Sequence, residues 1–174
     1  MDMPTTNSSG LGAFDTLGDH QAVAALLECC HSAVWAQEIA SSRPFTDLEA
    51  LFDKADAVLA ELPESEIDDA LSGHPRIGER SESAASTREQ SEVSSATEDV
   101  LAELRQKNAE YEETFGHVYL VCASGKSGTE LLDILRGRLR NDPATERSVL
   151  RTELAAINRI RLARLIDSLA GGAA

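Results

Sequence analysis

The run His74-Pro75-Arg76-Ile77-Gly78 places an imidazole in a stretch that proline and glycine keep out of regular helix. A histidine in such a loop can be reached by solvent, and an imidazole's ordinary titration range near neutrality suits proton transfer. Nothing beside it in sequence activates it, so an ordinary loop histidine is the competing reading. Downstream, Ser86-Thr87-Arg88-Glu89-Gln90 has the spacing of a capping box, in which Ser86 and Glu89 satisfy orphan backbone N–H groups at a helix start. The same N-terminus offers N–H donors and positive partial charge to an anionic or carbonyl-rich ligand. Glu89 and Gln90 also set a carboxylate beside an amide, a pair able to bracket a urea-like group. Near the C-terminus, Arg161 and Arg164 are three apart and share a helical face that Arg159 does not. The apolar stripe Ile157, Ile160 and Leu165 puts Arg161 at its edge. There it either balances an acidic surface or reaches into a pocket and forks onto a carboxylate.

Other candidates fail on spacing. Ser124-Gly125-Lys126-Ser127 contains the letters of a phosphate loop, but Leu120 stands where the first glycine is needed and no βαβ pattern surrounds it. Nucleotide binding is rejected. No His/Cys cluster has zinc spacing, and no GxSxG or Cys–His pattern occurs. Cys122 and Ser124 flank an apolar run without a base to activate them. The residues by themselves therefore give a His–Glu–Arg constellation and no reaction.

The elements that must position these groups are helical. Val23, Leu26, Leu27 and Cys30 follow one helical face, which extends or restarts around Trp35 from Ala33 to Ile39. Thr46 is a plausible N-cap for the stripe Leu48, Leu51, Phe52, Ala55, Leu59 and Leu62. Glu64 to Leu71 is a short helix with Gly73 as its C′ residue. A long polar helix passes through Leu101, Leu104 and Tyr111 to Gly116. Val118 to Cys122 reads as extended and buried, Thr129 to Arg140 as amphipathic helix, and Ala144 to Leu169 as the last helix. Residues 1–13, polar and glycine-rich, read as a mobile arm. Residues 14–170 read as one all-α domain, a multi-helix bundle of about eight helices.

Composition agrees. The chain has 174 residues, enough for one domain with a sizeable core, and only 4% aromatics beside abundant Ala, Leu and Glu. Sixteen Lys and Arg against thirty Asp and Glu leave a net charge of −14, which argues against nucleic-acid and membrane-surface partners. An anionic substrate would need local cations in its pocket. The three cysteines, Cys29, Cys30 and Cys122, lack CxxC spacing and read as reduced thiols of a cytoplasmic protein. The first ten residues have no signal-peptide pattern, and no apolar run is long enough to span a membrane.

The order of several segments adds a resemblance. Trp35-Ala36 with Arg43-Pro44-Phe45, His74-Pro75-Arg76-Ile77-Gly78, Ser86-x-x-Glu89-Gln90, Tyr111-x-x-x-Phe115-Gly116 running into Val121-Cys122-Ala123 and Gly125-Lys126, Arg138-Leu139-x-Asn141, and Ile160-Arg161-Leu162 follow one another. Together, over roughly residues 14 to 168, they resemble the 2-oxo-4-hydroxy-4-carboxy-5-ureidoimidazoline (OHCU) decarboxylases of urate breakdown. The resemblance implies an all-α homodimer with no metal or organic cofactor and a small ureide substrate. It implies His74, Glu89 and Arg161 as catalytic residues. It further implies that Pro75, Ser86 and Gln90, with the segment Val118, Tyr119, Leu120, Val121, Cys122 and Ala123, hold the substrate. Two other classes stay open on the residues alone: a non-catalytic helical adaptor, and a different lyase or hydrolase acting on a ureide.

Overall fold

The computed structural model describes residues 5–72, 74, 76–77 and 96–171. Among these there are eight α-helices and no strand: α1 (Thr5–Thr16), α2 (Asp19–Cys29), α3 (Ala33–Ser41), α4 (Leu48–Glu61), α5 (Glu64–Leu71), α6 (Glu98–Phe115), α7 (Gly128–Arg138) and α8 (Pro143–Gly171). The all-α expectation holds. The chain divides into two units, residues 1–70 with 155–174, and residues 71–154, so that α8 contributes to both.

In the first unit, the segment read as an arm is helical from Thr5, and Leu11 and Phe14 are buried. Its glycines suggested freedom, but Gly10 has a packing reason. A Cβ at that position would sit 2.2 Å from the carbonyl oxygen of Ile166, so only glycine lets α1 approach the α8 backbone so closely. Arg43 secures the end of α1, donating from Nη1 to the carbonyls of Phe14 and Leu17, both at 2.8 Å. A cation on the last carbonyls of a helix satisfies orphan acceptors and complements the dipole. The Arg43–Pro44 peptide bond is cis.

The helical face that begins near Val23 breaks and restarts. Ser32 caps α3, its Oγ accepting from the Trp35 N–H at 3.2 Å and donating to Glu66 at 2.9 Å. Trp35 is fully buried, and its indole N–H donates to the Ala55 carbonyl of α4 at 3.2 Å. The cap of α4 is Asp47 rather than Thr46. Its carboxylate accepts from the Ala50 N–H at 2.8 Å, and the negative charge at a helix N-terminus favours it over a hydroxyl. Gly73, expected to follow α5, lies outside the described residues.

In the second unit, Thr97 caps α6, and Gly116 ends it in the left-handed conformation at φ +79°, which other residues adopt at a cost. Tyr119, Leu120, Val121, Cys122 and Ala123 are buried but form no strand. Tyr119, Val121 and Ala123 pack in one core cluster with Ile77, Leu104, Tyr111, Leu131, Leu132 and Leu135. The GKS letters turn out to be a turn and a cap. Gly125 has φ +75°, Lys126 Nζ donates to the Cys122 carbonyl at 2.8 Å, and Ser127 with Glu130 forms the capping box that starts α7.

Candidate active site

The second unit holds His74 and the segment 118–123. The His74 N–H donates to the Leu71 carbonyl at 3.0 Å, and the imidazole is half-buried. The chain just after it is tied to α6 twice. Asn108 Nδ2 donates to the Ile77 carbonyl at 3.0 Å, and Arg76 Nε meets Glu112 at 2.8 Å. The loop histidine therefore stands on a fixed base, and Ile77 packs in the same core as Tyr119, Val121 and Ala123.

A buried ionic network positions the 118–123 segment. Arg138 donates to the Leu120 carbonyl and, through Nε, to Glu146 Oε1 at 2.5 Å. The Tyr111 hydroxyl donates to the same Glu146 oxygen at 2.5 Å, and Asn141 Nδ2 reaches Oε2 at 3.0 Å. The Arg138 guanidinium also lies over the Tyr119 ring, 5.0 Å from its centroid. Two further groups bind the segment: the Cys122 N–H donates to Glu153 at 2.9 Å, and Lys126 takes the Cys122 carbonyl. The N–H and C=O of Tyr119 and Val121, and the N–H of Val118, Leu120 and Ala123, make no hydrogen bond with a described residue.

The first unit holds Arg161, 7% exposed, with Nη1 donating to the Cys29 carbonyl in the last turn of α2 at 3.2 Å. The negative end of the α2 dipole is a favourable place for a buried guanidinium. Arg161 does not sit at the edge of an apolar stripe, as the spacing of Ile157, Ile160 and Leu165 suggests. The buried residues of α8 are Glu146, Leu150, Leu154, Ile157, Asn158, Arg161, Leu162 and Ile166, while Ile160 and Leu165 are only half-buried. Arg159 faces elsewhere. It pairs with Asp56 at 2.7 Å and Asp53 at 3.5 Å and lies over the Phe52 ring, all on α4. Pro75, Ser86, Glu89 and Gln90 lie outside the described residues.

Three members of the Arg161 surroundings carry no sequence signal of a site: Cys30, Asn158 and Glu66. Burial pushes the Cys30 thiol up to about 11, opposed by the Asn158 side chain and the Arg161 charge and reinforced by Glu66. Burial likewise raises Tyr111 and Tyr119. These are acids held neutral in the folded state, so the unfolded chain releases their protons first and stability falls as pH rises past the unfolded thiol value near 9. Urea midpoints are expected to drop between pH 9 and 11, with Cys30 accounting for up to about 3 kcal/mol. Cys30→Ala should flatten that slope; an unchanged slope would remove Cys30 as its source.

The chain is all-α, with Arg161 buried at the end of α2 in one unit and the 118–123 segment held by a buried ionic network in the other. The OHCU decarboxylase family model matches residues 15–163, and the chain belongs to that family. It is 33% identical over 180 residues to the mouse 2-oxo-4-hydroxy-4-carboxy-5-ureidoimidazoline decarboxylase, covering 97% of this chain and 93% of that protein. It is 30% identical over 150 residues to the Arabidopsis thaliana uric acid degradation bifunctional protein TTL. That match covers 82% of this chain, which spans 46% of the plant protein's length. A crystal structure of OHCU decarboxylase in the presence of (S)-allantoin superimposes with a TM-score of 0.74 at 27% identity, over 86% of this chain and 99% of that one.

Proposed function

We propose that this chain decarboxylates OHCU to S-allantoin in urate degradation. The observation that carries the reading is family membership across residues 15–163, joined by likeness to a decarboxylase crystallised with (S)-allantoin. In OHCU one ring carbon bears both a carboxylate and a hydroxyl, beside a C=N bond. The carbon–carboxylate bond breaks, CO₂ leaves, and the electron pair moves toward the C=N group. The ring nitrogen that receives the pair takes a proton, and the hydroxyl gives up its proton as the ring carbonyl forms. The neighbouring carbon takes a proton on one face, for a net uptake of one. The substrate supplies its own electron sink.

The side chains divide this work as follows. Arg161 gives an anionic substrate a cation that a chain of net charge −14 otherwise denies it; its burial at the α2 terminus supports that role. His74 bonds the substrate hydroxyl and moves its proton, and Glu89 positions the ring or ureido nitrogens. Pro75, Ser86 and Gln90 line the pocket, and the backbone of the 118–123 segment meets the ring. Pre-organised donors and exclusion of water direct protonation to one face. We further read the chain as a cytoplasmic homodimer.

The test couples purified urate oxidase and hydroxyisourate hydrolase to this protein and follows circular dichroism of the allantoin formed. Rapid appearance of an S-allantoin signal is expected. Slow racemic decay, unchanged by adding the folded protein, would overturn the reading.

A further inference from the structure

Three polar residues of α8 are buried: Glu146 is held by the Arg138 network, Arg161 is assigned to the substrate, and Asn158 has no role in the reaction. Arg161 has its partner at the α2 terminus. Asn158, one turn earlier on the same face, is 1% exposed, and neither Oδ1 nor Nδ2 makes a hydrogen bond of ordinary geometry with a described residue. Its polar neighbour is the Cys30 thiol, a weak partner on either side of a hydrogen bond. A carboxamide sealed from water with a thiol as its one described partner costs stability, and an apolar residue of similar size would remove that cost. Apart from Arg161 and Asn158 itself, the buried residues of α8 from Leu154 to Ile166 are Leu and Ile, so the burial pattern does not call for an amide.

We propose that Asn158 is a substrate-recognition residue, its carboxamide forming a two-point pair with the ureido group of the ligand. The chemistry is complementary. Oδ1 accepts from a ureido N–H while Nδ2 donates to the ureido carbonyl, whereas the adjacent Arg161 can only donate. The pair thus separates two tasks on one helix face: the guanidinium takes the anionic or carbonyl end, and the amide reads the mixed donor–acceptor edge. A site built around a buried amide rejects a ligand that cannot complete its bonds, so Asn158 would set specificity for ureides over the bare ring. This inference rests on the decarboxylase reading.

The experiment compares wild type, Asn158→Leu and Asn158→Ala in three measurements: KM and kcat for OHCU, calorimetric binding of S-allantoin, and binding of hydantoin, the same ring without the ureido arm. Asn158→Leu is expected to raise KM and the S-allantoin Kd by about tenfold or more while leaving hydantoin binding and thermal stability at wild-type level or better. Asn158→Ala should show the same selectivity loss and covers the case in which leucine does not fit. Unchanged S-allantoin binding in either folded variant overturns the proposal, as does an equal loss for S-allantoin and hydantoin. A drop in stability with KM unchanged would make Asn158 a structural residue. A folded wild type that neither turns over OHCU nor binds S-allantoin defeats the decarboxylase reading itself, a result that the variants alone cannot produce.

Discussion

His74→Ala is expected to lower kcat/KM for S-allantoin formation by a factor of about 10²–10⁴, the range spanned by a positioned general acid or base. Folding should survive the change. The loop is held through its backbone and neighbours, by the His74 N–H on Leu71, Asn108 on the Ile77 carbonyl and Arg76 on Glu112. A thermal midpoint near the wild-type value alongside the rate loss therefore separates chemistry from collapse. His74→Asn sharpens the test, because it retains hydrogen-bonding capacity but cannot titrate. The limb of the pH–rate profile assigned to His74 should disappear in that variant. A residual activity within tenfold of wild type, or a limb that persists unchanged, would take proton transfer away from this residue.

The largest expected loss of stability lies at Arg138 and Glu146. Both are buried, with the Tyr111 hydroxyl and Asn141 completing the carboxylate's hydrogen bonds and the Leu120 carbonyl taking one guanidinium N–H. Removing either charge strands the other away from water, which costs about 3–5 kcal/mol in comparable buried pairs. Arg138→Leu and Glu146→Leu should each lower the free energy of unfolding by that much in urea titrations. The double variant should fall well short of the sum, since no charge is then left uncompensated. Additive losses would mean that the two do not act as a pair. Arg138→Leu should also reduce activity in the fraction that remains folded, because the Leu120 carbonyl is one of the bonds that hold the 118–123 segment in place.

Much of the helical plan is written in local signals. The short helix from Glu64 to Leu71 has the bounds its punctuation implies, and Gly116 ends α6 because a left-handed C-cap needs a glycine. The rejection of a phosphate loop at Gly125-Lys126-Ser127 follows from spacing alone, and the turn and capping box found there account for the same letters. These features depend on residues within a turn or two of one another. Hydrophobic periodicity and caps report such interactions directly.

What the sequence determined by itself is therefore the all-α class, the order of the helices and, through the succession of its segments, the family. Only tertiary structure decided what depends on partners far along the chain. Gly10 reads locally as freedom, but it makes room for the Ile166 carbonyl of α8. Arg159 and Arg161 lie two residues apart on different faces, and what each face meets is set far along the chain. Acidic residues of α4 hold the first at the surface, and the end of α2, more than a hundred residues upstream in sequence, buries the second. Arg138 and Asn141 belonged to a family signature without a task until Glu146, Tyr111 and Leu120 were seen around them. Asn158 carried no signal at all, because an asparagine on a helix is unremarkable until the structure buries it with only the Cys30 thiol as a described partner. Burial is a property of the whole chain, and the meaning of a polar side chain depends on whether water can reach it.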